Sequence, residues 1–248
     1  MRIIALALAA GLLLATAAPA QQREATPPPA GEAKPVGYLA IEAVDYHGLL
    51  QPPPEQGSLT DQMDVNTSMY WQTAAGSARW KTANLDDAFV YPRFDKAFGE
   101  RIDRAHNPAL VTLLNRALKD VANPVFAAKA EYLRLRPYQR YQLKRVCGEA
   151  KAPAPNPADT ERSSYPSGHA AYGWMTALVL AEIAPERTGP LLARGRDYGL
   201  SRVICGVHFP SDVLAGQVAA EAVFARLMRD PEFLAQLSAI QAARRARH

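Results

Sequence analysis

The stretch that decides the fold is residues 166–185, which read Pro-Ser-Gly-His-Ala-Ala-Tyr-Gly-Trp-Met-Thr-Ala-Leu-Val-Leu-Ala-Glu-Ile-Ala-Pro. Its large apolar side chains are Tyr172, Trp174, Met175, Leu178 and Leu180. Placed on an α-helix, they cover nearly its whole circumference. In a water-soluble domain such a helix belongs at the centre, with the other elements packed around it. The sequence therefore predicts a buried helix that begins at Pro166-Ser167 and ends before Pro185.

Start and stop signals predict further helices on both sides of this stretch. They run from Asn107-Pro108 to about Asn123-Pro124, from there to about Leu135, from about Pro190 to Ile204, from Pro210 to about Met228, and from Pro231 to Arg247. No pair of alternating β-branched runs joined by an Asn-Gly or Asp-Gly turn occurs. We therefore expect an all-α fold, a single-domain helical bundle.

The chain begins like an exported protein. Met1-Arg2 precedes the apolar run 3–15, and Ala18-Pro19-Ala20 follows with small residues. This order is typical of a secretory signal, and the run is shorter than the roughly 20 residues that span a bilayer. We expect cleavage near Ala20 and a periplasmic or secreted protein.

Composition divides the chain into a signal peptide (1–20), a proline-rich linker (21–36) and the helical domain (37–248). Removing the signal takes away only Arg2, so the net charge falls from +4 to +3. That charge is too small to indicate a nucleic-acid partner. No run of 18 apolar residues follows the signal, so we expect no stable membrane insertion. The sequence allows a homo-oligomer without requiring one.

The chain has two cysteines, Cys147 and Cys205. An exported protein with an even number of cysteines usually oxidises them, so we predict one disulfide. Two buried free thiols are the alternative. A metal site is disfavoured because neither cysteine has a second one at ligand spacing.

Two cations and a proline form the first block of candidate functional residues. Lys129 and Arg136 are seven residues apart, or two helical turns. We expect both on one face of a helix that Pro137 ends directly after Arg136. Taken alone, such a pair is typical of solvated surface charge.

The second block is Pro166-Ser167-Gly168-His169, at the start of the buried helix. Unpaired backbone N–H groups and the positive helix end attract anions there, and glycine lets an oxyanion approach the backbone. The imidazole of His169 would lie beside such an anion. The alternative is an ordinary N-cap serine after a helix-start proline.

The third block is Ser201-Arg202, His208 and Asp212. Asp212 lies four residues after His208, so its carboxylate can hold one ring nitrogen and leave the other free to attack. Arg202 can offer a planar fork to phosphate oxygens. The alternative is a histidine at a helix start that is satisfied by a nearby acid.

Together the three blocks read Lys-x6-Arg-Pro, Pro-Ser-Gly-His and Ser-Arg-x5-His-x3-Asp, over residues 129–212. This pattern resembles the signature of the superfamily that joins type 2 phosphatidic acid phosphatases, vanadium haloperoxidases and bacterial non-specific acid phosphatases. The signal, the size and the run 164–169 are similar to class A of the bacterial acid phosphatases. That class usually has Gly-Ser-Tyr-Pro-Ser-Gly-His-Thr, and Ser163 and Ala170 replace its outer residues.

The resemblance implies an all-helical fold and a broad-specificity acid phosphatase for small-molecule phosphate monoesters, with no metal and no other cofactor. It implies that His208 attacks phosphorus, Asp212 orients His208, and His169 protonates the leaving alcohol and then activates water. The residues that it implies for holding the non-bridging oxygens are Lys129, Arg136, Ser167, Gly168 through its N–H, and Arg202.

Other interpretations use the same residues. Ser167, His208 and Asp212 could form a serine-esterase triad, but acyl transfer does not need the cations, and the Gly-x-Ser-x-Gly elbow is missing. His169, His208 and Asp212 could ligate a metal, which the cations would repel. A haloperoxidase would hold vanadate in the same oxyanion site, although such proteins are generally longer chains. A non-catalytic phosphate-binding protein would not need an aspartate-oriented histidine facing a second one.

Overall fold

A computed structural model describes residues 35–148 and 163–247. The α-helices in these ranges are α1 (Leu59–Ala74), α2 (Ser77–Leu85), α3 (Asp95–Phe98), α4 (Pro108–Tyr132), α5 (Pro137–Tyr141), α6 (Gly168–Ile183), α7 (Thr188–Ile204), α8 (Pro210–Leu227) and α9 (Pro231–Arg245). Short 3-10 turns lie at Ile41–Ala43, Tyr91–Arg93 and Pro185–Arg187. The described residues contain no strand, so the all-α prediction is confirmed. The predicted signal and nearly all of the predicted linker lie outside the described residues.

Helix α6 is the central helix that the sequence predicts. Ala170, Ala171, Met175 and Leu180 have no exposed surface, and they lie on different sides of the helix. Helix α6 packs most extensively against α7, then against α8 and α4. Its N-terminal end therefore lies where several helices meet. No helix in the described ranges combines the length and the apolar character that crossing a bilayer requires.

Helix α4 corrects the prediction of two separate helices around Asn123-Pro124. One helix runs from Pro108 to Tyr132 with Pro124 inside it. Pro124 cannot donate the hydrogen bond to the fourth residue before it, which costs about 3 kcal/mol. Val121 and Val125, on either side of the proline, are fully buried. Burial of apolar side chains at about 1.5 to 3 kcal/mol each offsets that cost, and the helix continues.

The end of α4 corrects a second prediction, that Lys129 and Arg136 share one helical face. Leu133 takes a left-handed backbone conformation with φ 45° and ends the helix. Arg136 lies beyond it in extended backbone, and Pro137 is the first residue of α5 rather than the residue that ends a helix. Proline suits this position because a first-turn N–H has no partner inside the helix.

Helices α1 to α3 were not predicted, and α1 shows why. The buried residues of α1 are Asp61, Asp64 and Ser68, and its Leu59 and Met63 are exposed. A helix that faces the interior with polar side chains has no apolar stripe, so hydrophobic periodicity does not reveal it.

The predicted disulfide between Cys147 and Cys205 is present, and both residues are buried. Cys205 is the C-cap of α7, three residues after Arg202 and three before His208. The backbone N–H of Cys147 also donates to the carbonyl of Cys205, at 3.3 Å. The bridge therefore links the turn between Arg202 and His208 to the segment around Cys147.

We predict that replacing both cysteines by serine lowers the free energy of unfolding by about 2 to 4 kcal/mol, because the bridge restricts the unfolded chain over a long loop. Urea unfolding of the double variant and the wild type measures this loss. The initial rate with p-nitrophenyl phosphate at moderate temperature should fall proportionally less. Equal stability of the two proteins, or two reactive thiols in the untreated protein, would contradict the prediction.

Candidate active site

The three sequence blocks meet at the N-terminal end of α6. Lys129 is in the last turn of α4, Arg202 is in the last turn of α7, and Asp212 is in the first turn of α8. We use the term anion cradle for Lys129, Arg136, Ser167, Gly168 and Arg202. Three of these residues are cations, and they lie close enough to disfavour one another's charge and that of His208. The charges of Lys129, Arg136 and Arg202 thus act together on the imidazole of His208.

His208 is almost completely buried, with 2% of its surface exposed. Its Nε2 lies 3.0 Å from Nη1 of Arg136. A guanidinium only donates, so Nε2 accepts and Nδ1 carries the proton of a neutral ring. Nδ1 faces the Oγ of Ser164 at 3.5 Å and Oδ2 of Asp212 at 3.6 Å. The lone pair of the ring is therefore on Nε2, which accepts from Arg136.

Asp212 is held by three groups besides the imidazole. Its Oδ2 accepts hydrogen bonds from the Phe209 N–H at 2.7 Å and from the Ser164 hydroxyl at 2.5 Å. Its Oδ1 accepts from Nη1 of Arg134 at 2.6 Å. At 3.6 Å the carboxylate is slightly too far for a direct hydrogen bond to His208, and the Ser164 hydroxyl lies within reach of both. Ser164 and Asp212 together position the ring.

Arg134 and Ser164 were not predicted as site residues. Arg134 joins Asp212 to Asp64 of α1, at 2.9 Å, and only 7% of its side chain is exposed. Its partners lie 70 and 78 positions away in the chain, so no local pattern separates Arg134 from the surface arginines. Ser164 had a signal, its place directly before the Tyr165-Pro166-Ser167-Gly168-His169 run.

Ser167 caps α6. Its Oγ accepts from the Ala170 N–H at 3.3 Å, and its own N–H donates to the Asp212 carbonyl at 2.9 Å. A Cβ added to Gly216 of α8 would lie 2.3 Å from the Ser167 carbonyl oxygen, so a glycine there lets α8 pack on this turn. The N-cap interpretation therefore holds, while the Ser167 hydroxyl proton and the N–H of Gly168 remain donors for an anion.

Lys129 and Arg202 are buried and Arg136 is partly buried, and the surroundings disfavour the charges of Lys129 and Arg136. Burial, and then the charge of Arg136, lower the pKa of Lys129 to about 7. Burial, and then the charge of Arg202, lower the pKa of Arg136 to about 10. Within the described part of the chain, Nε of Arg202 is buried without a hydrogen-bond partner. An anion in the cradle would stabilise all three charges and would satisfy this donor.

The pKa values of the two site histidines, His169 and His208, are both lowered. The charge of Arg202, and then burial, lower the pKa of His169 to about 3. Burial, and then the charges of Arg136 and Lys129, hold the pKa of His208 well below its usual value of 6.5. Nε2 of His169 lies 3.4 Å from the backbone carbonyl of Asp87. Both imidazoles therefore favour the neutral form.

In residues 35–148 and 163–247, no group of three or more His, Cys, Asp or Glu side chains is placed to hold a metal ion. The arrangement instead offers positive charge, helix-end N–H groups and two neutral imidazoles. Such a set can bind a tetrahedral oxyanion, present a nitrogen nucleophile to it and exchange one proton with it.

Comparisons with known proteins identify the family of this chain. The family model described as the PAP2 superfamily matches residues 108–234, from the first residue of α4 into α9. The chain is 38% identical over 205 residues to a non-specific acid phosphatase of Providencia stuartii, which covers 79% of each protein. It is 35% identical over 188 residues to an acid phosphatase of Zymomonas mobilis, covering 74% of this chain and 69% of that protein. It is 35% identical over 208 residues to a non-specific acid phosphatase of Salmonella typhimurium, covering 81% and 80%.

We predict that Arg134→Met lowers the free energy of unfolding by about 3 to 5 kcal/mol, because it leaves the buried carboxylates of Asp64 and Asp212 without their shared partner. Arg101→Met is the matched control. Arg101 is exposed and pairs with the surface residue Asp103, so this change should have little effect. Urea unfolding of both variants makes the measurement, and equal losses in the two would contradict the buried network.

Proposed function

Because the chain belongs to the PAP2 superfamily, we propose that it is an acid phosphatase that hydrolyses small-molecule phosphate monoesters through a phosphohistidine on His208. The observation that carries the proposal is the buried, neutral imidazole of His208, whose Nε2 lone pair lies among three cations. The relatives named above as acid phosphatases support the reaction class.

In the first step the phosphate group of the ester enters the cradle. Lys129, Arg136 and Arg202 balance the charge on its non-bridging oxygens, and the Ser167 hydroxyl and the Gly168 N–H donate to them. Charge spreads over these oxygens in the transition state of phosphoryl transfer, so fixed donors around them lower the barrier. The contact of Arg136 with Nε2 of His208 is replaced by a contact with phosphate, which frees the lone pair.

In the second step Nε2 of His208 attacks phosphorus, and the bond from phosphorus to the ester oxygen breaks. The ring now carries a phosphoryl group on Nε2 and a proton on Nδ1, and its positive charge is stabilised by Asp212. Ser164 and Arg134 hold that carboxylate in place. Such a partner fixes the tautomer of the ring and its orientation.

His169 is the proposed proton donor to the leaving alcohol. Because its pKa is about 3 before an anion binds, it must gain that proton together with the substrate. A singly charged phosphate ester brings one proton, and its negative charge raises the proton affinity of His169. His169 then donates that proton to the departing alcohol. Left neutral, it can take a proton from the water that hydrolyses the phosphohistidine.

The serine-esterase alternative is not supported. The ring nitrogens of His208 contact Arg136, Ser164 and Asp212 within the described residues, whereas the Ser167 hydroxyl caps α6. Metal independence is part of the proposal because the three cations supply the charge that a divalent ion would otherwise provide, and they repel such an ion. Export to the periplasm or beyond, by way of residues 1–20, is also part of it.

We predict that His208→Ala abolishes turnover, whereas His169→Ala accumulates a phosphoenzyme from p-nitrophenyl phosphate. This aryl ester departs without a proton, but hydrolysis of the intermediate still needs the base. Rapid quenching with labelled substrate, in a buffer with chelator, detects the intermediate and tests metal independence. A phosphoryl group on a residue other than His208 would refute the nucleophile, and activity restored by a divalent metal after chelation would refute metal independence.

We predict an optimum at about pH 5 to 6.5, with an alkaline limb of kcat/KM that follows the second pKa of the substrate, near about 6 for a phosphate monoester. The lowered pKa values keep both histidines neutral through this range, so the needed proton comes with the ester and is lost as the ester becomes a dianion. Profiles for p-nitrophenyl phosphate and an alkyl phosphate, whose second pKa is higher, check this. If the alkaline limbs of the two profiles coincide, the proton for the leaving group comes from a group of the enzyme instead.

A further inference from the structure

Asp87 lies inside the candidate site, and the reaction described above does not use it. It follows α2, and its Oδ1 accepts a hydrogen bond from Nη1 of Arg202 at 2.7 Å. Its backbone carbonyl is the group that lies 3.4 Å from Nε2 of His169. A carboxylate therefore lies beside a cation that is expected to hold phosphate. Its charge acts against an anionic substrate, so its presence needs a functional reason.

The backbone around Asp87 is anchored. The neighbouring Asp86 has no exposed surface, and its Oδ2 accepts from the Ser201 hydroxyl at 2.6 Å. On the other side, the Ala88 carbonyl accepts from the Tyr198 hydroxyl at 3.2 Å. Both partners belong to α7, the helix that carries Arg202. Asp87 is thus held against Arg202 by the main chain as well as by its own ion pair.

Gly148 restricts the other oxygen of this carboxylate. A Cβ added to Gly148 would lie 1.8 Å from Oδ2 of Asp87, and the backbone of Gly148 has φ +59°. A glycine is needed there for both reasons. The Asp87 carboxylate therefore lies between Arg202 and the backbone next to the disulfide, and a bound phosphate has to accommodate it.

Several groups in the described part of the chain interact with the charge of Asp87. Arg202 pairs with it directly. Its negative charge also acts electrostatically on Arg136, His169 and the Tyr198 hydroxyl. Arg202 has a buried Nε that has no partner among the described residues and could bind a phosphate oxygen, and the Asp87 carboxylate binds Nη1 of the same guanidinium. Two deprotonated oxygens in that position repel each other. A protonated phosphate oxygen instead donates a hydrogen bond to the carboxylate.

We propose that Asp87 makes the site selective for the singly charged, protonated form of a phosphate group: it accepts a hydrogen bond from the P–OH and repels the doubly charged form. Asp87 is then a specificity-determining residue. The selection rests on the proposed function, and it delivers the one proton that neutral His169 lacks. A site with a charged acceptor beside its ligand disfavours an analogue that lacks the proton, because the two negatively charged oxygens repel each other.

Phosphate and sulfate test this selection, because they share size and shape but differ in charge. At about pH 5.5 inorganic phosphate is mainly a monoanion with protons to donate, while sulfate is a dianion with none. Calorimetric titration of the full chain with each anion, at constant ionic strength, gives the ratio of the two Kd values. The wild type should bind phosphate at least about tenfold more tightly than sulfate, and Asp87→Asn should reduce that ratio at least about tenfold by strengthening sulfate binding.

Asp197→Asn is the matched control. It removes the same charge from α7, where Asp197 pairs with Arg79 and Arg194 at a partly exposed position. Its ratio should stay at the wild-type value. If Asp87→Asn strengthens both anions equally, or leaves the ratio unchanged, the selection is overturned.

A wild type that binds sulfate as tightly as phosphate overturns the selection without any variant. The binding measurement needs no turnover, so it separates this proposal from the proposed function. A protein that discriminates the anions as expected, yet hydrolyses no phosphate monoester, would refute the phosphatase and leave the anion selection standing.

Discussion

The close placement of three cations, two of them buried, around one neutral imidazole is the constraint on which the rest of the structure depends. Lys129, Arg136 and Arg202 repel one another, and burial lowers the pKa of the first two. Such a cluster persists only where the surrounding chain holds each member in place. Lys129 donates to the Ser163 carbonyl, and Arg136 donates to the Val207 carbonyl. The cradle is thereby prepared for an anion before one arrives.

The scaffold supplies this rigidity from several elements. Helix α6 provides the helix end at the centre, and α8 packs directly on its first turn. The disulfide fixes the turn between Arg202 and His208. Beneath that turn, Arg134 joins Asp212 to Asp64 of α1, so a helix with a polar inner face contributes to the position of the candidate nucleophile. Removing one member would leave a buried charge without its partner and would lower the free energy of unfolding. The members of the network therefore stabilise one another.

The same cations determine where protons reside. They lower the pKa of His169 and His208, so both imidazoles favour the neutral form. In the proposed reaction the proton for the leaving group enters with the ester, and the proposed role of Asp87 is to favour an ester that carries one. This proposal accounts for an optimum at acidic pH while both site histidines have lowered pKa values.

The sequence by itself determined the central helix, the all-α class, the disulfide and the three blocks. Apolar periodicity, the number of cysteines and short motifs can all be recognised without knowing which distant residues are in contact. It placed α7, α8 and α9 to within two residues, since proline and capping signals are local too. It divided α4 wrongly at Pro124, where burial outweighs a lost hydrogen bond. Only the tertiary structure brought Arg134, Ser164 and Asp87 to the site, because their partners lie 48 to 115 positions away in the chain and each is defined by an ion pair or hydrogen bond between separate elements.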